Sequence, residues 1–509
     1  MAEPDPATFG PAISEAYATK GGAVELGTAM LAGALVPGAD VRLPLATMNR
    51  HGLIAGATGT GKTRTLQVIA EQLSAAGVSV FAADVKGDVS GMAVPGSDDG
   101  PAKKRARELG LEFTPTGFPV EYLSLGGIGP GVPVRATVSD FGPLLVAKVL
   151  GANATQEQSL ALVFHYADTK GLPLLDLSDL RALLTFLDSE AGRPELKGIG
   201  GLSPQTVGVL LRSLVSLETG GGNEFFGEPQ LDVADLLRTA PDGRGVVSCI
   251  ELPAVQDKPR LWSTVLMWLV AELFEQLPEV GDRDKPRLVF FLDEAHLLFD
   301  GASKAFVDST VQTVRLIRSK GVGVFFVTQT PKDVHSDVLA QLGNRVQHAL
   351  RAFTPDDAKA LRATVRTFPK SDAYDLEELL TQLGTGEAAV TILSESGVPT
   401  PVAHTRMRPP LSRMGPADDV AGAAAASALQ TKYGTRLDGQ SARELLATRL
   451  DPPATGEAAP TKPTERQKGA GDAVGKGADA IGDFLSSSSG RALTREVVRG
   501  MFGMLKRGL

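Results

Sequence analysis

Short apolar runs at residues 52–55, 78–83, 245–252, 287–293 and 323–329 alternate along this chain with longer stretches whose apolar residues recur every three or four positions. The runs are too short for helices and apolar on both faces, which predicts buried strands of a parallel sheet. The stretches between them predict helices: Leu66, Ile69, Ala70 and Leu73 share one face within residues 62–76, and further helices fit residues 259–277 and 305–320. Strands alternating with helices at this spacing predict an α/β fold with a doubly wound, mainly parallel sheet. Residues 343–353 and 386–394 read as terminal strands, and Trp262, Trp268 and Phe274 as core.

The rhythm breaks between residues 98 and 244, where helices separated by Gly/Pro loops predominate. Strands are expected there near residues 120–125 and 134–138, a helix start at Asn153-Ala-Thr-Gln-Glu and a leucine-rich helix at 175–187. This predicts a mainly helical insertion, 98–244, dividing the α/β core into residues 1–97 and 245–410. Residues 1–50 carry little periodicity beyond one lead-in strand expected at 43–48. After Pro409-Pro410 the composition turns to Ala, Gly, Pro and Ser, and residues 411–490 read as a linker region, flexible above all at 451–475. At 491–509, Arg491, Arg495 and Arg499 share one helical face while Val497, Val498, Met501, Phe502 and Leu505 make an apolar one. A basic amphipathic helix of this kind docks on protein, on DNA or on an anionic membrane surface.

The first apolar strand runs straight into Gly56-Ala-Thr-Gly-Thr-Gly-Lys-Thr63, a glycine-rich loop opening a helix. Gly56, Gly59 and Gly61 can take backbone angles closed to other residues, so the N–H groups of Gly56, Ala57, Thr58, Gly59, Thr60 and Gly61 can curl round a β-phosphate. Lys62 then reaches the β- and γ-phosphates, the Thr63 hydroxyl ligates Mg²⁺, and the helix, with Arg64 in its first turn, points its positive end at the same anion. Downstream, Leu288-Val-Phe-Phe-Leu-Asp293-Glu294 delivers two adjacent carboxylates from the end of a strand. The expected division of labour gives Asp293 the Mg²⁺ shell and Glu294 the attacking water as general base. Gln329, ending the next strand, is placed to sense the γ-phosphate or orient that water. Arg315 and Arg318, on the intervening helix, either reach transition-state charge or pair between subunits. The cluster Asp84-Val-Lys-Gly-Asp88 faces the nucleotide, a neighbouring subunit or solvent, and the basic run Lys103-Lys-Arg105 with Arg107 reads as a solvated helix face or a nucleic-acid contact.

Composition narrows the field. Hydrophobic content of 43% and charged content of 22% over 509 residues are those of a globular protein of two or three packed units. No apolar run approaches the roughly 18 residues of a membrane span, and Met-Ala-Glu-Pro-Asp at the start lacks the basic region of a secretory signal, so a cytoplasmic location is expected. A net charge of −8 argues against a broadly basic, nucleic-acid-coating surface. Cys249 reads as a buried strand residue, and the six histidines show no metal-ligand spacing.

These motifs carry a resemblance. Asn49-Arg50-His51 before the phosphate loop, Asp84-Val-Lys-Gly-Asp, Phe-Leu-Asp293-Glu294-Ala-His and Val-Thr-Gln329-Thr-Pro resemble the HerA-type branch of the FtsK/HerA superfamily. Gly142-Pro-Leu-Leu, Asn153-Ala-Thr-Gln, Leu175-Asp-Leu-Ser-Asp-Leu and Arg499-Gly-Met-Phe-Gly are similar to the bacterial YjgR-like group. The resemblance implies a RecA-like P-loop motor, usually a hexameric ring, coupling Mg²⁺-dependent ATP hydrolysis to movement along double-stranded DNA. It implies a trans role for Arg50, reaching a neighbour's nucleotide, and a cis role for Arg318, although this chain has Arg318-Ser-Lys320 where HerA proteins carry Gly-Arg-Lys. Some 50 residues are too few for the small β-barrel that precedes the motor in HerA proteins, so a HerA-type nuclease partner is not implied. The alternatives are a protein-remodelling or secretion/conjugation-type ATPase, and a nucleotide-switched scaffold.

Overall fold

The computed structural model describes residues 6–196 and 199–450, so the expected helix at 491–509 and the linker at 451–475 lie outside the described residues. Twelve strands form one sheet: β1 (Ala23–Leu31), β2 (Ala34–Pro44), β3 (Gly52–Ala55), β4 (Ser79–Asp84), β5 (Val120–Leu125), β6 (Val132–Val134), β7 (Val247–Glu251), β8 (Leu288–Leu292), β9 (Val322–Thr328), β10 (Asn344–Gln347), β11 (Glu387–Thr391) and β12 (Ala403–Met407). Their spatial order is β2-β1-β12-β11-β10-β3-β9-β8-β4-β7-β5-β6. Everything from β10 to β6 is parallel, whereas β11, β12, β1 and β2 extend the sheet by antiparallel pairing. The α/β, mainly parallel architecture follows from β3, β4, β7, β8 and β9, whose residues are buried throughout because helices cover both faces.

Register places the chemistry. Ala55 lies beside Thr328 on one side and Gln347 on the other, and Phe291 beside Ala82 and Phe325. The residues that follow β3, β8 and β9 therefore emerge along one edge, at the carboxyl ends of adjacent strands, where ligands bind in open α/β sheets. Stacking of Phe81 on Phe290, 4.4 Å between centroids, and burial of Trp262 and Trp268 on the helix Pro259–Gln276 hold that edge on a rigid core.

Three regions differ from expectation. The strand expected at residues 43–48 is a 3-10 turn over Leu45–Arg50, and the hairpin β1–β2 stands before it. β2 tolerates Pro37 because it is the sheet's edge, where no ladder bond is lost. Within the stretch read as an insertion, one short helix, Pro101–Glu108, comes first, β5 and β6 then continue the central sheet beyond β7, and the run of helices begins at Val138. Those helices start where side chains cap them: Asn153 forms a capping box with Gln156 and Asp176 one with Asp179.

Beyond Pro410 the described chain is built into the body. The buried Glu71 carboxylate accepts hydrogen bonds from the Leu411 and Ser412 amides and the Ser412 hydroxyl, strapping this segment across the helix Lys62–Ala75. Further on, Tyr433 is fully buried, its carbonyl held by Arg135 at 2.8 Å and its hydroxyl by Asp235 and the Asp232 amide. Richness in Ala, Gly, Pro and Ser reads as linker over residues 411–450, but polar anchors and the buried Leu429, Tyr433 and Leu446 fix them to the core.

Candidate active site

Gly56 closes β3 with its amide directed at the carbonyls of Thr328 and Gln329, each at 3.2 Å. Its φ is 153°, and a Cβ there would stand 2.5 Å from the His348 Cβ, so nothing larger fits. Gly61 has φ 124° and leads into the helix at Lys62. His348 underlies the whole turn. Its amide donates to Ala55 at 2.7 Å, one ring nitrogen meets the Thr65 hydroxyl at 2.8 Å and the other the Glu387 carbonyl at 2.8 Å. Burial pushes the imidazole down to about 4, and the Lys62 charge adds to the effect, so the ring is neutral. The Ala57 amide on the Ala349 carbonyl at 2.8 Å, and the Gly386 amide on the Thr60 carbonyl at 2.9 Å, complete the brace. Arg105 buttresses it from outside through the carbonyls of Gly386, Met407 and Thr385. That arginine of the basic run is thus structural, while Lys104 and Arg107 remain exposed.

Lys62 is buried and turns back on its own loop, donating to the Gly56 carbonyl at 2.6 Å and the Ala57 carbonyl at 3.2 Å. These carbonyls hold the ammonium where phosphate oxygens would replace them. Thr58 and Gly59 are exposed at the loop tip, and Thr63 is half-buried in the first helical turn. Arg64 bonds Gln67 at 2.7 Å and so leans along the helix rather than into the loop.

Asp293 and Glu294 follow β8, both buried, with Glu294 in a left-handed conformation at φ 48°. Burial raises the Asp293 carboxyl to about 7, helped by the Glu294 charge beside it. Such a carboxylate calls for a cation, and a divalent ion would reverse the shift. Burial also opposes ionisation of Glu294, yet Lys86 overrides it: the two groups pair at 2.6 Å and the net shift is downward. The loop 84–88 thus faces the site of its own subunit. It is shaped by Asp84, whose two oxygens accept from the amides of Gly87, Asp88, Val89 and Ser90. Asp84, Cys249 and Glu251 lie together beside it, but with Asp84 spent on those amides and Cys249 hydrogen-bonded to Glu251, the group is a buried hydrogen-bond cluster. Gln329 is exposed at the end of β9, its backbone against Gly56.

The model for "Helicase HerA-like C-terminal" matches residues 30–508. The chain belongs to this HerA-like family. Among curated relatives, "Probable helicase MJECL08" of Methanocaldococcus jannaschii is 24% identical over 364 residues, 67% of this chain; the chain spans 63% of that relative's length. Among solved structures, the plasmid coupling protein TrwB in complex with ADP and Mg²⁺ is 15% identical with a TM-score of 0.52, over 81% of this chain and 94% of TrwB. TrwB with the ATP analogue ADPNP gives 16% and 0.51, over 79% and 92%. The likeness is one of fold.

Against this HerA-like frame the two arginines stand at the opposite edge from the phosphate loop. Arg50 precedes β3, whose four residues put roughly 13 Å of strand between it and Gly56. Its guanidinium lies against Gly397, and no carboxylate among the described residues pairs with it. Arg318 precedes β9, a strand of seven residues and roughly 23 Å, and bonds Asp282 at 3.4 Å. An arginine side chain cannot span either distance, so the cis placement of Arg318 does not hold: the parallel register that brings Gln329 to the nucleotide edge carries Arg318 to the other one. Arg315 is exposed on the same helix. Sequence reasoning missed His348 and paired Lys86 with nothing; each acts through a partner far away in the chain.

Proposed function

We propose that this HerA-like chain is a Mg²⁺-dependent ATPase whose subunits assemble, six to a ring, into a motor on double-stranded DNA. The observation that carries the reading is the buried pair Asp293–Glu294 on the strand next but one to a phosphate loop whose lysine is held on its own carbonyls. The donor set fits the ligand: with the Gly56 and Ala57 amides already spent on carbonyls, the remaining loop amides and Lys62 would face the β- and γ-phosphates, and Thr63 and the Asp293 carboxylate would hold a Mg²⁺ that neutralises phosphate charge. Glu294 takes the proton of the attacking water, and Gln329 orients that water from the end of β9. TrwB, of the same fold, has been seen with ADP and Mg²⁺, which supports the same occupants here.

Arg50 and Arg318 complete this site from the neighbouring subunit, since both lie at the far edge of their own sheet. A cytoplasmic location suits a chain in which no helix of the described residues is long and apolar enough to cross a membrane. ATP turnover measured with and without duplex DNA over a salt series tests the reading. Strong stimulation that fades steeply with salt, as counterion release requires, supports it. Turnover without stimulation by any DNA shifts the function to protein remodelling or a nucleotide switch, and absence of turnover refutes it.

A further inference from the structure

The ion pair between Lys86 and Glu294 gives the proposed base a structure. Lys86 Nζ lies 2.6 Å from Glu294 Oε1. The other oxygen, Oε2, is buried and has no hydrogen-bond partner. His296 Nδ1 stands 3.4 Å from it, out of hydrogen-bond geometry and equally unpartnered. A buried carboxylate oxygen without a donor is costly, and such sites recur where function requires them. The two oxygens are therefore unequal: one is clamped by Lys86 and the other has no donor, while Lys62 of the phosphate loop lies within the field of the same carboxylate.

We propose that Lys86 is a positioning residue for ATP hydrolysis: it fixes Oε1 of Glu294 so that Oε2 is presented to the attacking water. The arrangement is that of a base oriented by a third group. Lys86 is suited to this because its side chain is 47% exposed, so it carries little of the fold's packing while its ammonium meets the carboxylate. Glu294 needs the restraint because its backbone turns at φ 48°, away from the strand that would otherwise direct it. The proton passes from water to Oε2 and the hydroxide oxygen bonds the γ-phosphorus as the β–γ bridging bond breaks; Lys86 exchanges nothing.

This rests on the reading of Glu294 as base, and the turnover of Glu294→Gln against wild type checks that reading first. Steady-state ATPase of Lys86→Ala, Lys86→Gln and Lys86→Arg, each with its affinity for a fluorescent ATP analogue and its melting temperature, then tests the proposal. The expected result is a kcat lower by about 10- to 100-fold in Lys86→Ala and Lys86→Gln. That is less than the about 10⁴ lost with an orienter that also fixes a histidine tautomer, since a carboxylate has none to fix. KM and analogue affinity should stay within about twofold, and Lys86→Arg should recover part of kcat. In a Glu294→Gln background, Lys86→Ala should cost less than about twofold more, because two residues acting as one unit do not add. An unchanged or raised kcat, a loss confined to KM, or full additivity would overturn it. If Lys86→Ala does not fold, the near-isosteric Lys86→Gln decides.

Discussion

The two edges of the parallel strands are built to opposite rules. At the carboxyl ends the groups of the site are held inside the subunit: Lys62 on the Gly56 carbonyl, Glu294 on Lys86, and the neutral His348 on Thr65 and Glu387. At the amino ends, among the described residues, Arg50 rests against a glycine without an ionic partner, and Arg318 reaches only Asp282, which is 85% exposed. Arginine is always charged and its planar fork suits phosphate, so leaving two of them loosely held on one edge reserves them for something outside the subunit. On the proposed reading the first edge lacks its ligands and an arginine from outside the subunit. The second is complementary to such a site, and the comparison predicts that each edge works on the other in a neighbouring copy.

The strongest test of that complementarity is Arg50→Ala. A trans arginine contributes about 10³–10⁵ in rate, so turnover should fall by at least about 10³-fold while ATP binding persists. Mixing Arg50→Ala subunits with Lys62→Ala subunits should restore measurable turnover, because some interfaces then pair an intact loop with an intact arginine; no recovery at any ratio would return Arg50 to a role in its own subunit. Next in size is Glu294→Gln, which removes the base from the built edge alone. Turnover should drop about 10²–10⁴-fold with nucleotide binding intact, and this variant should not complement Lys62→Ala, since both defects lie at one edge.

Much of this was legible in the sequence, and the boundary of legibility is physical. The phosphate loop and the strand ending in Asp293 are local: strand, glycines, lysine and helix lie within a dozen consecutive residues, so their spacing carries their geometry. The N-terminal hairpin was not legible because β1 pairs with β12 far along the chain, Gly27 opposite Met407, and β2 as an edge strand carries two prolines and a glycine that mimic loop. Residues 411–450 differ from the linker expected because scattered buried apolar residues such as Leu429 and Leu446, too few to make a periodic stripe, join polar contacts such as Ser412 on Glu71. Arg318 failed for another reason: its place follows from which end of β9 it precedes, and only the sheet register makes that end the wrong one for its own nucleotide. His348 is invisible by spacing, since its partners Thr65 and Glu387 come from separate parts of the chain.

His348 gives the third prediction, in stability rather than rate. Its folded value of about 4 lies below the 6.5 of an exposed histidine. The unfolded chain therefore binds a proton between those values that the folded one refuses. The contribution to stability is full above pH 6.5 and is lost as pH falls toward 4, amounting to about 3 kcal/mol over that window. Urea midpoints measured across it should fall with acid in the wild type and more gently in His348→Gln. Equal slopes would show that the phosphate loop does not rest on this ring.

The smallest effect should come from the pair that holds Arg318. With Arg318 at 38% and Asp282 at 85% side-chain exposure, their 3.4 Å contact sits in water and is screened by salt. An exposed pair of this kind is worth about 0–1 kcal/mol, so Asp282→Asn should leave the melting temperature almost unmoved and more so at high salt. Turnover should not fall either, because removing the carboxylate only frees the arginine for a neighbour's phosphate. A marked loss of turnover in Asp282→Asn, with stability unchanged, would mean that the aspartate aims Arg318 rather than merely parking it, and the amino-end edge would then be as preorganised as the carboxyl-end one.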